Sequence, residues 1–136
     1  MKFDLELAIA APPEEVFDFL TDPANLPRWQ ESCVAAEGEG THIHETRSFM
    51  GRRAEVETEI VEAERPRVFV VRSAAGPVRF TVRHELEPAG EGTLLRVQAD
   101  FELPGGLGRI AGPLATRTAA KQFRSDFERL QQILQN

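Results

Sequence analysis

The sequence predicts one α+β domain in which a strand and two short helices precede an antiparallel meander and a long C-terminal helix. The 136 residues suit a single domain spanning 1–136. Apolar and polar side chains alternate with period two through the middle of the chain, as in strands with one solvated face. The C-terminal segment instead repeats its apolar residues at helical spacing.

The N-terminal segment predicts one strand followed by two short helices. Residues Lys2 to Ala10 alternate loosely, which indicates a strand with one buried face. Pro12-Pro13-Glu14-Glu15 then opens a helix, because proline suits the first turn and acidic side chains favour the positive helix end. Asp22-Pro23 repeats this start signal for a shorter helix, which Pro27 is expected to end before Trp29.

From Cys33 to Leu103 the sequence predicts antiparallel strands joined by short turns. Apolar residues occupy alternate positions from Val78 to Leu86 and again from Leu95 to Phe101. The stretch from Val68 to Val71 is uniformly apolar, which indicates a central strand.

A long terminal helix is expected to run from Gly105-Gly106 to about Leu134. Its second half has a stripe of large apolar residues, Phe123, Phe127, Leu130 and Leu134. Continued backward, the stripe contains small residues, Ala120, Ala119, Thr116, Pro113 and Gly112. A twisted sheet wrapped around this helix would pack against the large side chains and leave space beside the small ones. The sequence therefore predicts an internal pocket.

Three larger apolar residues, Leu107, Ile110 and Leu114, lie off this stripe. Either Gly112-Pro113 kinks the helix and resets its phase, or these side chains face other elements near an entrance.

Composition excludes several classes of function. Sixteen Lys and Arg against 22 Asp and Glu give a net charge of -6 and a pI near 5.1, and an acidic surface disfavours nucleic acid and anionic membranes. With Cys33 as the single cysteine and three histidines, neither an intramolecular disulfide nor a structural zinc site is expected. The absence of Tyr excludes mechanisms that need a phenol.

The expected location is a reducing cytoplasm. No apolar run approaches the roughly 18 residues of a membrane span, and Asp4 and Glu6 interrupt the stretch that a signal peptide needs. We expect no cofactor and no membrane insertion, with a monomer or homodimer as the assembly.

One stretch is similar to a known family. Residues Ala11 to Trp29 closely resemble the N-terminal signature of the polyketide cyclase/dehydrase group, within the START-like, Bet v 1-like (SRPBCC) superfamily. The Glu64-Arg65-Pro66-Arg67 turn and Gly92-Thr93 at the start of the last strand match the habits of that group. The resemblance covers the whole chain.

The resemblance implies a helix-grip fold, with a seven-stranded antiparallel sheet around the C-terminal helix and two short helices that support it. Such proteins hold lipids, sterols, polyketides or other aromatic molecules in a hydrophobic cavity between sheet and helix. Trp29 is expected to pack within the short helices. The fold carries over, whereas function does not follow from it.

His84 is the leading candidate for chemistry. It shares strand parity with Val82 and Leu86, so it should point inward from the middle of the sheet. A neutral imidazole there can act as a general base or hydrogen-bond a ligand carbonyl. The alternative is a structural histidine whose ring is satisfied by a backbone group.

The strand from His42 to Phe49 has two possible facings. With a two-residue turn, the residues that face the pocket beside Val56 and Thr58 are Ile43, Glu45, Arg47 and Phe49. With a three-residue turn they are His42, His44, Thr46 and Ser48. The first facing buries Glu45 with Arg47, a pair that is costly unless satisfied and that would anchor a ligand. A solvated edge with inert charges is the alternative.

Other catalytic patterns find little support. His42-x-His44 has the spacing with which two strand histidines share a metal, but nothing nearby completes the shell, so no metal site is predicted. Ser73 and Ser125 lack a His–Asp context for nucleophilic hydrolysis.

The favoured function is binding of a hydrophobic small molecule (a lipid, polyketide or aromatic metabolite) in the internal cavity. The residues expected to line it are Val56, Thr58, Ile60, Phe80, Val82, His84, Val97, Ala99, Thr116 and Ala120. The alternative, implied by the resemblance, is a polyketide cyclase/dehydratase-type enzyme that positions a flexible substrate, with His84 or Arg47 as the proton-transfer group. A third possibility is a partner surface at the off-stripe residues Leu107, Ile110 and Leu114.

Overall fold

The computed structural model describes residues 1–49, 51–102 and 107–136, with the backbone alone at 49, 107–113 and 115. A short 3₁₀ turn, Pro23–Asn25, separates the first two helices. The helices and strands are, in chain order, β1 Lys2–Ile9, α1 Pro13–Thr21, α2 Leu26–Trp29, β2 Cys33–Glu39, β3 His42–Phe49, β4 Arg52–Glu64, β5 Val68–Ala75, β6 Arg79–Ala89, β7 Gly92–Glu102 and α3 Leu107–Gln135.

The strands form one antiparallel seven-stranded sheet in the order β1-β7-β6-β5-β4-β3-β2. Strands β2 to β7 are a meander, and β1 closes onto the last strand, with Leu5 opposite Val97. The predicted fold class is confirmed: this is a helix-grip, Bet v 1/START-like fold, with two short helices after the first strand and a long helix at the C-terminus.

Helix α1 begins where proline and acidic residues predict, whereas the predicted start at Asp22-Pro23 opens the 3₁₀ turn and α2 begins at Leu26. Helix α1 has Pro13 at its start and Glu14 and Glu15 in its first turn, and it buries Val16 and Leu20. The Asp22 side chain accepts a hydrogen bond of 3.0 Å from the Ala24 N–H and thereby starts the 3₁₀ turn.

Pro27 was expected to end the second helix, but the helix continues past it. Pro27 lies in the first turn of α2, where its missing N–H is not needed, and Trp29 is the last residue of that helix. The Trp29 side chain is buried, as expected, and its ring packs on Phe127 with 4.9 Å between centroids.

The junction between β1 and β7 requires glycine at position 92. A Cβ on Gly92 would lie 2.4 Å from the Ile9 carbonyl oxygen, closer than two such atoms can approach. The Thr93 hydroxyl donates to the Ala11 carbonyl oxygen at 2.7 Å and holds the chain at the same place. These contacts fix the end of β1 from which α1 departs.

The C-terminal half of α3 closes one end of the molecule. Phe127 and Leu130 are buried in the core, as their place on the predicted stripe requires. Gln131 donates to the Ala8 carbonyl oxygen at 2.7 Å, and Gln135 accepts from the Ala10 N–H at 3.0 Å. This half of the helix is therefore attached to β1 through both apolar and polar contacts.

The helix is continuous through Gly112 and Pro113. Among the three off-stripe residues, Leu114 is 76% exposed, whereas the side chains of Leu107 and Ile110 lie outside the described residues. The predicted turn at Gly105-Gly106 also lies outside them.

Candidate functional site

The register between β3 and β4 determines which side chains enter the interior. Phe49 lies opposite Arg52, so two residues form the turn, and Glu45 lies opposite Val56. Ile43, Glu45, Val56 and Thr58 are buried on the inner face. Of the two predicted facings, the one with Ile43 and Glu45 inside is therefore the observed one.

Glu45 and Arg47 form an ion pair at the inner edge of the sheet. The Arg47 Nε donates to Glu45 Oε1 at 2.8 Å, and a second guanidinium nitrogen contacts the same oxygen. Thr58 donates its hydroxyl to the other carboxylate oxygen at 2.6 Å. Arg47 also donates to Ser32 Oγ at 2.8 Å and to Gln30 Oε1 at 2.5 Å.

This network satisfies a charge that burial would otherwise make costly. The Glu45 residue is only 3% exposed, but it is hydrogen-bonded at both oxygens, and Arg47 is only slightly more open to solvent. The pair therefore differs from an inert surface salt bridge. It also connects β3 to the segment between α2 and β2, so it holds one wall of the interior in place.

Sequence analysis did not identify Gln30 and Ser32 as members of this network. Both belong to the short segment between α2 and β2, and they meet Arg47 because Cys33 pairs with Arg47 across the sheet. A polar residue in a connecting segment gives no sequence signal for such a contact, because the contact depends on strand pairing.

His84 points inward, as its strand parity predicts, and is buried at 4% exposure. Its ring lies 5.6 Å from the Phe69 ring and 5.8 Å from the Phe127 ring, between centroids. The Nδ1 atom is 2.9 Å from the Phe69 carbonyl oxygen. Because a carbonyl oxygen only accepts, Nδ1 carries the proton and Nε2 presents a lone pair.

Burial determines the charge of this ring. Loss of hydration lowers the pKa of His84 to about 4, and the hydrogen bond to the Phe69 carbonyl opposes this shift only in part. The imidazole is therefore neutral near pH 7. As a base it is weak, and as a hydrogen-bonding group it donates at Nδ1 and accepts at Nε2.

Four phenylalanine rings line the interior away from the closed end. Phe3 and Phe123 lie 5.5 Å apart, Phe101 and Phe123 lie 6.0 Å apart, and Phe80 and Phe101 lie 5.9 Å apart, between centroids. All four are only partly buried, whereas Phe127 is buried. We call Phe3, Phe80, Phe101 and Phe123 the aromatic wall.

Phe80 of this wall is among the predicted lining residues, whereas Phe123 was predicted only as part of the large apolar stripe. Phe3 and Phe101 were not predicted to line the interior. Both have inward strand parity, which was the available signal. The pairing of Phe3 with Ala99, next to Phe101, brings the two rings together.

The predicted lining residues fall into three groups. Those that are buried on the inner face are Val56, Thr58, Val82, His84, Val97 and Ala99. Those that are half-buried are Ile60, Phe80 and Ala120, whereas Thr116 is exposed. Val82 pairs with Ala99 and His84 with Val97, so the middle of the sheet brings these four together.

A depression of about 550 Å³ is lined by residues from both faces of the sheet, among them the inward-facing Phe80 and the outward-facing Thr81. It forms where β5 and β6 diverge after the pair Arg72 and Thr81, and the Ser73 hydroxyl accepts the Phe80 N–H at 3.0 Å in the gap. Its outward-facing lining includes Arg79 and Asp100. This depression is polar and open, and it shares Phe80 with the aromatic wall. The predicted pocket between sheet and helix stays a prediction.

The outer face of β3 and β4 carries both remaining histidines. His44 contacts Glu57 through Nδ1 and lies 2.5 Å from Glu55 through Nε2.

Within the described parts of the chain, no group of three or more His, Cys, Asp or Glu residues is arranged to hold a metal ion. No helix of the described residues has the length and apolar character needed to cross a membrane.

Solved structures share this fold over nearly the whole chain. A START superfamily protein from Mycobacterium smegmatis is 16% identical with a TM-score of 0.79, and the alignment covers 98% of this chain and 96% of that one. A conserved protein from Geobacillus kaustophilus is 19% identical with a TM-score of 0.81, covering 98% and 95%. Ara h 8.0201 is 16% identical with a TM-score of 0.73, covering 98% and 97%.

At these identities the likeness concerns the fold alone. No curated protein sequence is significantly similar to the chain. The profile of one family, described as polyketide cyclase / dehydrase and lipid transport, matches residues 1–135. With its helix-grip fold and this match across the whole domain, the chain belongs to the polyketide cyclase/dehydrase and lipid transport family of the SRPBCC superfamily.

Proposed function

We propose that the protein binds a hydrophobic small molecule, such as a lipid, polyketide or aromatic metabolite, between the inner face of the sheet and α3. The observation that carries this proposal is the aromatic wall, four inward phenylalanines that stay only partly buried while Phe127 and Leu130 of α3 are buried. Ligand sites are mostly apolar with few placed polar groups, and this interior has that composition.

The small side chains of α3 support the same location. Ala119 and Ala120 are half-buried and come one turn before Phe123, the member of the aromatic wall that belongs to α3. An alanine at such a position fills less volume than the leucine and phenylalanine of the closed end. The space beside these alanines is where we expect the apolar body of the ligand.

The Glu45–Arg47 pair gives the proposed site a polar side. Arg47, which is less buried than Glu45, is held in a fixed orientation by Ser32 and Gln30, while Thr58 donates to Glu45 from behind the pair. A molecule with one polar group and an apolar body would therefore bind in a defined orientation.

The second candidate function is a polyketide cyclase/dehydratase-type enzyme, and the buried ion pair favours it. A guanidinium fixed by three partners is suited to stabilise negative charge on an enolate oxygen, and positioning of a flexible chain supplies much of the catalysis of cyclisation. Arg47 is the better candidate for this role, because the lowered pKa of His84 makes its imidazole a weak base.

The test uses N-phenylnaphthylamine, a neutral apolar fluorophore, with a matched pair of variants on α3. Ala120→Phe adds a ring at a half-buried position, whereas Lys121→Phe adds the same ring at the neighbouring exposed position. We expect Ala120→Phe to weaken probe binding at least about tenfold, since the added ring occupies the proposed site, and Lys121→Phe to bind like the wild type. Equal binding by all three proteins would exclude this location.

A further inference from the structure

We propose that the bound molecule donates a hydrogen bond to Nε2 of His84, so that the site selects ligands with a hydroxyl or N–H group over matched ligands without one. This inference rests on the proposed function and specifies its ligand class. It assigns His84 a role as an acceptor that determines specificity, which differs from the general-base and carbonyl-binding roles considered for it from the sequence. The backbone partner of the alternative, structural interpretation is present at Nδ1.

The geometry of the ring determines which atom is available. Nδ1 is committed to the Phe69 carbonyl oxygen at 2.9 Å and carries the proton. Nε2 lies on the far side of the ring from that carbonyl and holds the lone pair. The flanking rings of Phe69 and Phe127 keep the imidazole plane in place, so the direction of the lone pair is defined.

Nε2 has no hydrogen-bond partner among the described residues. The residue as a whole is only 4% exposed, so this unpartnered nitrogen lies within a mostly apolar interior. Because His84 faces inward, Nε2 lies on the side of the sheet where we propose that the ligand binds.

An unpartnered acceptor in an apolar interior discriminates between ligands. A ligand with a hydroxyl or N–H satisfies Nε2, whereas an analogue without a donor leaves it unpaired and loses affinity. A carbonyl or ether oxygen would place one lone pair against another. The neutral ring also offers no charge to a carboxylate, so an alcohol, phenol or N–H group is the chemistry that fits.

The experiment compares naphthol with its methyl ether, two molecules of the same apolar body that differ in the hydroxyl donor. Dissociation constants are measured by calorimetry for the wild type, for His84→Phe and for His84→Gln. Phenylalanine retains the aromatic contacts and removes the acceptor. Glutamine retains both an amide N–H for the Phe69 carbonyl and an oxygen that accepts from the ligand, so it serves as the conservative control.

For each protein we compare the dissociation constant of the methyl ether with that of naphthol. We expect this ratio to be about tenfold larger in the wild type than in His84→Phe, which is the effect of one hydrogen bond. His84→Gln should retain part of this preference. Equal ratios in the wild type and His84→Phe would overturn the inference and would indicate that solvent satisfies Nε2. Failure of both compounds to bind any of the three proteins would instead overturn the proposed function.

If His84→Phe does not fold, the wild type alone still decides the question. The ¹⁵N chemical shift of Nε2 reports directly on a hydrogen bond accepted by its lone pair. Naphthol should change this shift and the methyl ether should not. Saturation with naphthol without a change at Nε2 would contradict the inference.

Discussion

At the scale of single residues, burial determines what His84 can do. The same side chain on the outer face would titrate near pH 6.5, whereas between Phe69 and Phe127 loss of hydration lowers its pKa to about 4. His44 shows the reverse effect, because the hydrogen bonds that it donates to the Glu57 and Glu55 carboxylates raise its pKa. Strand parity predicted that His84 points inward, but the partners that determine its charge come from β5 and α3.

The lowered pKa of His84 predicts a pH dependence of stability. The unfolded chain protonates this ring below about pH 6.5 and the folded chain only near pH 4, so stability falls as pH decreases through this interval. Between pH 7 and pH 5 the wild type should lose about 2 kcal/mol more than His84→Gln. Urea unfolding at both pH values measures this difference, and parallel losses in the two proteins would contradict it.

Removal of Glu45 should be costly because it leaves the Arg47 charge without its partner. Glu45→Ala is expected to lower the free energy of unfolding by about 2–3 kcal/mol. This is somewhat less than the cost of breaking an ion pair that is fully shielded from solvent. The control is Glu37→Ala, which removes an exposed glutamate from β2 and should change stability by less than about 0.5 kcal/mol. Similar costs for the two variants would show that the buried network contributes little.

At the scale of elements, the facing of β3 illustrates where sequence information ends. Both parities of His42 to Phe49 contain polar residues, so alternation alone does not select a face. The pairing of Phe49 with Arg52 fixes the turn length and therefore which face of β3 points inward. The alternative register would place His42 and His44 inside, away from Glu57 and Glu59. Proline and acidic residues, by contrast, located the start of α1 directly.

The outer face of the same strand pair gives a second titration test. Glu57→Gln should lower the pKa of His44 in a proton NMR titration, since Glu57 makes the largest contribution to raising it. Glu59→Gln, on the same strand but paired with Arg72, should leave that pKa unchanged. A His44 pKa that Glu57→Gln leaves unchanged would show that the contact between His44 and Glu57 does not form in solution.

The two halves of α3 should respond differently to loss of a ring. Phe127→Ala is expected to cost about 3–5 kcal/mol of stability, because this side chain is buried at the closed end. Phe123→Ala should cost less than half of that, because Phe123 is only partly buried, and should weaken N-phenylnaphthylamine binding about fivefold. A larger loss of stability for Phe123→Ala than for Phe127→Ala would contradict the division of α3 into a more open part around Phe123 and a packed part around Phe127.

At the scale of the whole molecule, the fold was predictable because the order of its strands and helices and its N-terminal signature both indicate the helix-grip fold. The apolar stripe of α3 located the packed end through Phe127 and Leu130. The wall that Phe3 and Phe101 complete was not identified, since it depends on β1 closing onto β7, two strands far apart in sequence. The polar depression beside Arg79 likewise follows from the divergence of β5 and β6, which no local pattern shows.

The predicted interior pocket and the polar depression between β5 and β6 have different linings apart from Phe80, so a single mapping experiment distinguishes them. We would titrate N-phenylnaphthylamine into isotopically labelled protein and follow side-chain NMR shifts. Binding between sheet and helix should move the inward residues Thr58 and Val97 and leave Thr81 and Asp100 unchanged. Shifts confined to Thr81 and Asp100 on the outer face would contradict the proposal that the interior is the binding site.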